Sequence, residues 1–394
     1  MGGMITKILT YVDDTSDVNM GINDTGSSHS QVVFFSKRKR QEIVYKKCLL
    51  VMLNRKSTDS VPTLLVDGQA IEAVSKAKCL GDVVNDKGNN QSLVSDRAQK
   101  GNAVLIYSIS ICSEATVGKY VIDMMLLMYE AVFLQAVLFN SRAWSNLRKG
   151  ELEILQVAQL KFLKRTMKVP ASASNTGVFL ELGILPIKHE INKRQFSFLH
   201  HVLNLAPGDP VLTMFHQQQL LPYEINWANA IKSTAELYGI ELVEQNVSQM
   251  SKKSWMEMVD VKVRQTAFEE LIAENTKRSK TNDLQYEKFK EQEYVRKAAP
   301  DVVCVIFRYR IRSIKCKANM KSSYPDQKCR LCKVADEDQN HVANCEMVRR
   351  DGAIIDTQKL RKTEQEWGLE DPELYELAKR VKQFDELCAE KSMC

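Results

Sequence analysis

The 394-residue chain contains no glycine-rich phosphate loop, no Gly-x-Ser-x-Gly and no His-Glu-x-x-His. Those absences exclude a P-loop nucleotidase, a hydrolase built on a nucleophile elbow and a zinc protease of the common helical type. No apolar run is clean enough for a membrane span, since the longest, Val121 to Phe139, carries Asp123, Glu130 and Gln135. Nothing near the amino terminus reads as a signal peptide, because Lys7 interrupts the only apolar stretch and polar residues follow at once. Without an export signal, the ten cysteines are expected to be thiols or metal ligands rather than disulfides. Internal repeats and heptads are missing too. The expectation is a soluble, intracellular protein of two or three domains, with no membrane partner.

What the chain does have is positive charge in clumps. The net charge of +6 is modest, but Lys37 to Lys56 holds eight Lys or Arg against the single acid Glu42. Arg308 to Lys333 holds nine against the single acid Asp326. Such clusters are footprints for phosphate backbones, with a solvated face as the plain alternative. The run Lys37-Arg38-Lys39-Arg40 also reads as a nuclear-import patch. These four residues, with Arg308, Arg310, Arg312 and Lys315, are the candidate contacts to RNA or DNA. If residues 307–312 are extended, alternation sets the three arginines on one face for phosphates and turns Phe307 and Tyr309 toward the core.

Strand and turn signals fill the first ninety residues. Gln31 to Phe35 reads as a short buried strand. Thr63-Leu64-Leu65-Val66, Asp67-Gly68 and Gln69-Ala70-Ile71 predict a hairpin, because Asp-Gly supplies the positive φ angles of a tight turn. Lys78 to Val84 reads as a further strand. The pattern then turns helical from about Gln91 to Asn140, again over Glu151 to Lys168, and from Ile187 to Leu205. In the second of these, Lys161, Lys164 and Arg165 are expected on the exposed face. Ala206-Pro207-Gly208-Asp209-Pro210 is the linker candidate, followed by helical segments around Asn229–Gly239 and Trp255–Asn275. His200-His201, on an apolar helix, read as core edge rather than ligands, and Cys388 and Cys394 as free thiols in a charged tail.

Two segments carry chemistry. Tyr11-Val12-Asp13-Asp14 closes the apolar run Ile5 to Thr10 and predicts a strand–turn–strand hairpin with an acidic tip. Asp13 and Asp14 there are candidate ligands for Mg²⁺, a hard cation shared with substrate phosphates, although acidic pairs also mark solvated turns. Near the carboxyl end, Cys329-Arg330-Leu331-Cys332 is followed after eight residues by His341 and after three more by Cys345. Four sulfur and imidazole donors in this order suit a tetrahedral structural Zn²⁺ site. His341 and Cys345, four apart, would project from one face of a short helix, with Ala335-Asp336-Glu337-Asp338 as the acidic loop that starts it.

In this order the segments resemble the carboxyl-terminal part of a reverse transcriptase from a non-LTR (LINE-type) retrotransposon. Tyr11-Val12-Asp13-Asp14-Thr15 resembles the aromatic-x-Asp-Asp palm signature. Leu65 to Gln69 with Cys79 to Val84 resembles the primer-gripping region, Cys79 standing where that family has an aromatic. Ser95 to Arg165 looks like the helical thumb, and Phe307 to Cys345 like the linker and zinc-binding segment. The resemblance implies an α+β chain: a small antiparallel palm remnant, a mostly helical thumb and linker, and a small zinc-binding segment. It divides the sequence into 1–92 (partial palm), 93–206 (thumb), 207–300 (linker), 301–350 (basic strand and zinc segment) and 351–394 (charged helical tail). It further implies an RNA-directed DNA polymerase ancestry with Mg²⁺ as the parent enzyme's cofactor. The family's third carboxylate precedes the Asp-Asp hairpin, and only ten residues stand before Tyr11, so no polymerisation is expected from this chain alone. The alternatives are a non-catalytic nucleic-acid-binding module and a helical bundle (95–205) for partner proteins.

Overall fold

The computed structural model describes residues 7–11, 14–18, 22–40, 43–53, 64–113, 117–144, 147–221, 226–278, 281–320, 323–349, 352–362 and 372–393. Among these, helix dominates and the strands form three small sheets, a mixed α+β chain. It divides into two compact units, Met1–Arg97 and Ala98–Cys394, the division falling within the helix Gln91–Ile111.

In the first unit, β1 (Lys7–Tyr11) pairs antiparallel with β2 (Asp14–Val18), in a register running from Lys7 opposite Val18 to Tyr11 opposite Asp14. A helix, Ile22–Arg38, follows and includes residues 31–35, which the sequence reads as a strand. A four-residue apolar run cannot separate the two possibilities by itself. The helix buries Val33 and Ser36, three apart, and leaves Phe34 and Phe35 exposed. Val33 packs with Leu64 and Ile71 in a small core. β3 (Leu49–Leu50), β4 (Leu64–Val66) and β5 (Gln69–Ala73) make one sheet, with β4 and β5 antiparallel as the Asp-Gly signal predicts and β3 parallel to β5. Asp67 (φ 50°) and Gly68 (φ 76°) form the left-handed turn between Val66 and Gln69, while Thr63 lies outside the described residues. The run 78–84 is not one strand but a second hairpin, β6 (Lys76–Cys79) against β7 (Asp82–Asn85). Its turn passes through Leu80 at φ 47°, which the sequence pattern alone does not advertise.

The second unit is helical. The expected helix over 91–140 is interrupted after Ile111 and resumes as Val121–Met128, a π-helical turn over Tyr129–Phe133, and Leu134–Val137. The Gly118–Val137 stretch is long and apolar enough by composition to cross a membrane. Here Val121, Ile122, Met125, Leu126, Tyr129 and Phe133 are interior packing, and Asp123 pairs with Arg296 at 3.2 Å. Tyr129, Phe133 and Phe162 form a ring cluster with centroids 5.0–5.7 Å apart. Beside it the buried Gln159 is saturated: its amide donates to Tyr129 Oη (2.7 Å) and Leu185 O (2.8 Å) and accepts from Ile187 N (2.9 Å).

The helix Lys149–Thr166 buries Leu155, Leu160, Phe162 and Leu163 and exposes Lys161 and Arg165. Lys164 departs from the sequence reading. Its amine turns inward and donates to Ala171 O (2.6 Å), Ala173 O (2.7 Å) and Asn175 Oδ1 (2.7 Å), three acceptors that replace its water shell. The Pro/Gly cluster at 206–210 is a turn rather than a boundary. The helices on its two sides, Ile187–Leu203 and Pro210–Leu220, share one core with Trp227–Leu237 and Lys252–Asn275. Asp209 caps the helix that begins at Pro210, accepting from Val211 N at 2.8 Å.

Candidate metal centre

The cysteine segment follows the helix Pro300–Arg310 and is held by backbone geometry first. Cys329 N donates to Ala335 O (2.8 Å) and Lys333 N to Cys329 O (3.1 Å), and Lys333 adopts a left-handed φ of 64°. The chain therefore folds back on itself, and two amides turn toward sulfur: Leu331 N lies 3.3 Å from Cys329 Sγ and Val334 N 3.5 Å from Cys332 Sγ. Across from this knuckle, Asp338 caps the helix Gln339–Asn344, its Oδ1 accepting from His341 N at 2.7 Å. That helix presents His341 within it and Cys345 at its end.

Cys329, Cys332, His341 and Cys345 converge, their donor atoms all within 4.8 Å of one another. Cys329 Sγ and Cys345 Sγ are 3.9 Å apart, and Cys332 Sγ is 3.4 Å from His341 Nε2. Tetrahedral zinc with ordinary bond lengths puts two sulfurs about 3.8 Å apart and sulfur and nitrogen about 3.5 Å apart. The cluster is compatible with zinc, and four protein donors close the coordination sphere. Cys329 and Cys345 are buried; Cys332 and His341 are half-buried. Burial opposes ionisation of Cys332, yet the backbone N–H groups of Ala335 and Val334, with Cys329 and His341 beside it, hold its thiol down to about 6. Burial pushes Cys345 up to about 12, helped by the two neighbouring cysteines. Crowded thiols of this kind gain from a cation that takes them as thiolates.

Two other expectations meet different outcomes. Asp13 lies outside the described residues, and of Asp14 only the backbone is described, as the first residue of β2. The basic run Lys37, Arg38, Lys39 and Arg40 is exposed, with Lys37 bonded to Asp67 at 2.6 Å and Lys39 over the Phe35 ring.

The arginines at 308–312 are not a phosphate-facing row: Pro300–Arg310 is helical, its successive residues turning by about 100°, and Arg312 follows in a turn with a left-handed φ of 47°. Arg310 is buried, its Nε held between both oxygens of Glu181 at 2.7 and 2.8 Å. Arg308 donates to Lys168 O, with Nε at 3.1 Å, and Arg312 pairs with Asp283 at 2.9 Å. Phe307 and Tyr309 do face the core. Lys315 is exposed, as are Lys328 and Lys333 around the knuckle. His200 is at the core edge as expected, stacked on Trp255 with Nε2 2.9 Å from Met250 O, and Cys388, expected as a thiol outside any disulfide, is a buried cysteine in no disulfide.

No family model, curated protein or solved structure matches this chain.

Sequence reasoning overlooked the partners of the knuckle. Glu337 is completely buried beneath it and the helix Pro372–Met393 lies against it: the Arg330 guanidinium sits over Phe384 and Lys391 Nζ donates to Leu331 O at 3.0 Å. The only sequence signal was an arginine inside the Cys-x-x-Cys spacer facing an acidic loop seven residues on.

Proposed function

We propose that the chain is a zinc-stabilised nucleic-acid-binding module related to the carboxyl-terminal part of a non-LTR retrotransposon reverse transcriptase, binding without polymerising by itself. The observation that carries this reading is the Cys329, Cys332, His341 and Cys345 cluster with tetrahedral spacings, ringed by the exposed Lys315, Lys328 and Lys333. The ordered resemblance upstream of it supports the same ancestry: a Tyr-Val-Asp-Asp hairpin, an Asp-Gly hairpin, a helical middle. Four protein donors leave the ion no open position, so its role is to hold the fold, while the exposed lysines meet phosphates. The Tyr-Val-Asp-Asp hairpin brings two carboxylates, and a two-metal polymerase needs a further bridging one.

The test is binding of a labelled RNA and a labelled single-stranded DNA by the purified chain, titrated between about 50 and 200 mM salt. Affinity is expected to fall steeply, and Lys315→Ala with Lys333→Ala to reduce the salt slope by about one per lysine. Binding indifferent to salt and to both substitutions overturns the reading. A primed template with Mg²⁺ is expected to give no extension above an Asp13→Asn, Asp14→Asn control.

A docking face for another protein is the second reading. It is favoured by Ile106, Tyr107, Ile109 and Ile111, exposed together on the end of the helix Gln91–Ile111.

A further inference from the structure

In sequence, between the two pairs of metal-ligand candidates, lies a carboxylate whose hydrogen bonds go to Arg330 and Lys317. Glu337 is fully buried and yet saturated. Its Oε2 accepts from Arg330 N at 2.7 Å, its Oε1 from Lys317 N at 3.1 Å, and both oxygens meet Arg330 Nε at 2.9 and 3.0 Å. Arg330 Nη2 adds a 2.8 Å contact to Oε1 and also donates to Lys315 O at 3.0 Å. The backbone of Glu337 is tied as well: its N–H donates to Gln327 O (2.8 Å) and its carbonyl accepts from Ala318 N (3.0 Å).

Arg330 N is the amide directly after Cys329, and the next amide, Leu331 N, faces Cys329 Sγ. One carboxylate thus captures the first N–H of the knuckle and leaves the second turned to sulfur. An apolar residue in this position would leave two backbone amides, Arg330 N and Lys317 N, without their acceptor and take from the Arg330 guanidinium its charged partner.

We propose that Glu337 is a positioning residue for the metal centre: through Arg330 it shapes the Cys329–Cys332 turn to metal-binding geometry and joins that turn to the carboxyl-terminal helix. The helix end of the connection is explicit, since Arg330 sits over the Phe384 ring at 5.7 Å. Outer partners of this kind fix ligand orientation, and losing one typically weakens metal binding by about 10–100-fold. The proposal rests on the metal reading of the four donors, and its test separates the two.

The full-length chain is titrated with Zn²⁺ against a competing chelator, and with Co²⁺ to read tetrahedral thiolate coordination from its absorption bands. Wild type is expected to bind one ion per chain. Glu337→Gln keeps an acceptor but loses the charge that grips Arg330; it is expected to bind about 10-fold more weakly with the cobalt spectrum retained, and Glu337→Ala more weakly still with altered bands. Arg330→Lys, which keeps the charge but not the fork, carries the same expectation and serves if Glu337→Ala does not fold. Glu373→Gln, at the start of the carboxyl-terminal helix and away from the knuckle, removes an ion pair to Lys359 in the preceding turn; it is the structural control and is expected to bind zinc as wild type does. Wild-type zinc affinity in Glu337→Gln and Arg330→Lys, or equal losses in Glu373→Gln, overturns the positioning role. No zinc bound by wild type overturns the metal reading itself.

Discussion

His189 shows how one buried residue can fix its own protonation through its neighbours. Tyr238 Oη accepts from Asn192 Nδ2 (2.9 Å), so its proton points to His189 Nδ1 (2.7 Å). Nε2 then carries the hydrogen and faces Glu270 at 3.3 Å, while Lys188 reaches the same carboxylate at 2.5 Å. The His189 hydrogen bond first, and Lys188 beside it, hold the Glu270 carboxyl down at about 2 against the opposing effect of burial. A carboxyl depressed in the fold stays charged while the unfolded chain takes up its proton. Its stabilisation is therefore present above the free value of 4.5 and is lost as pH falls toward 2. Burial lowers His189 below 6.5, so the unfolded chain also takes this proton first and stability begins to fall from that side. Urea midpoints of Glu270→Gln are expected to fall less steeply than wild type between pH 4.5 and 2. Parallel curves across that window would rule the linkage out. The helix that carries His189 and the apolar setting of His200 were readable in the sequence; the partners of His189, from residues 49 and 81 positions away, were not.

The helix Asn175–Leu182 stops at Gly183, whose left-handed φ of 59° no side chain adopts cheaply. Space is a second constraint there. A Cβ would lie 2.2 Å from Glu291 N and 2.3 Å from the Lys290 carbonyl carbon, both backbone atoms. Gly239 has nearly the same φ, 60°, with nothing within 4 Å of the added carbon. Gly239→Ala is therefore expected to cost only the left-handed strain of about 1–2 kcal/mol. Gly183→Ala should cost clearly more, because residues 290–291 must move while the adjacent Gln292 N is bonded to Glu181 O. Equal losses in urea denaturation would refute the crowding argument.

Elements were legible where a turn residue or a sustained period marked them, as with Asp67-Gly68 and the helix Lys252–Asn275. They were misread where a short apolar or alternating run had two solutions. Residues 31–35 and 307–310 both became helix: Val33 is buried on one side of its helix, whereas Pro300–Arg310 buries residues on nearly every side, Phe307 and Tyr309 among them, so both cores are satisfied without a sheet. Once Arg310 lies inside, Glu181 has to be there too. Removing one partner of such a pair costs about 3–5 kcal/mol because the other charge stays buried.

At the scale of the whole chain, the four donors were legible because sulfur and imidazole chemistry dictates their spacing. The C-terminal helix was expected only as a charged tail, and its packing against them was not legible, since its charged sequence hides the inward row Leu374, Leu377, Val381, Phe384 and Cys388. Metal and helix are expected to stand or fall together. Chelation should speed hydrogen exchange across 315–349 and 372–393, leaving the helices Lys149–Thr166 and Lys252–Asn275 protected. Loss of protection confined to 329–345, or spread evenly over the chain, would contradict that coupling. Lys391 gives the arrangement a temporal side as well, since its amine bonds the carbonyl of Leu331, sixty residues earlier. During synthesis the two cysteines of the knuckle leave the ribosome long before the helix that covers them. A message cut short before that helix would yield a chain with the knuckle's thiols bared to oxidants and no helix to cover them, a product marked for proteolysis rather than for use.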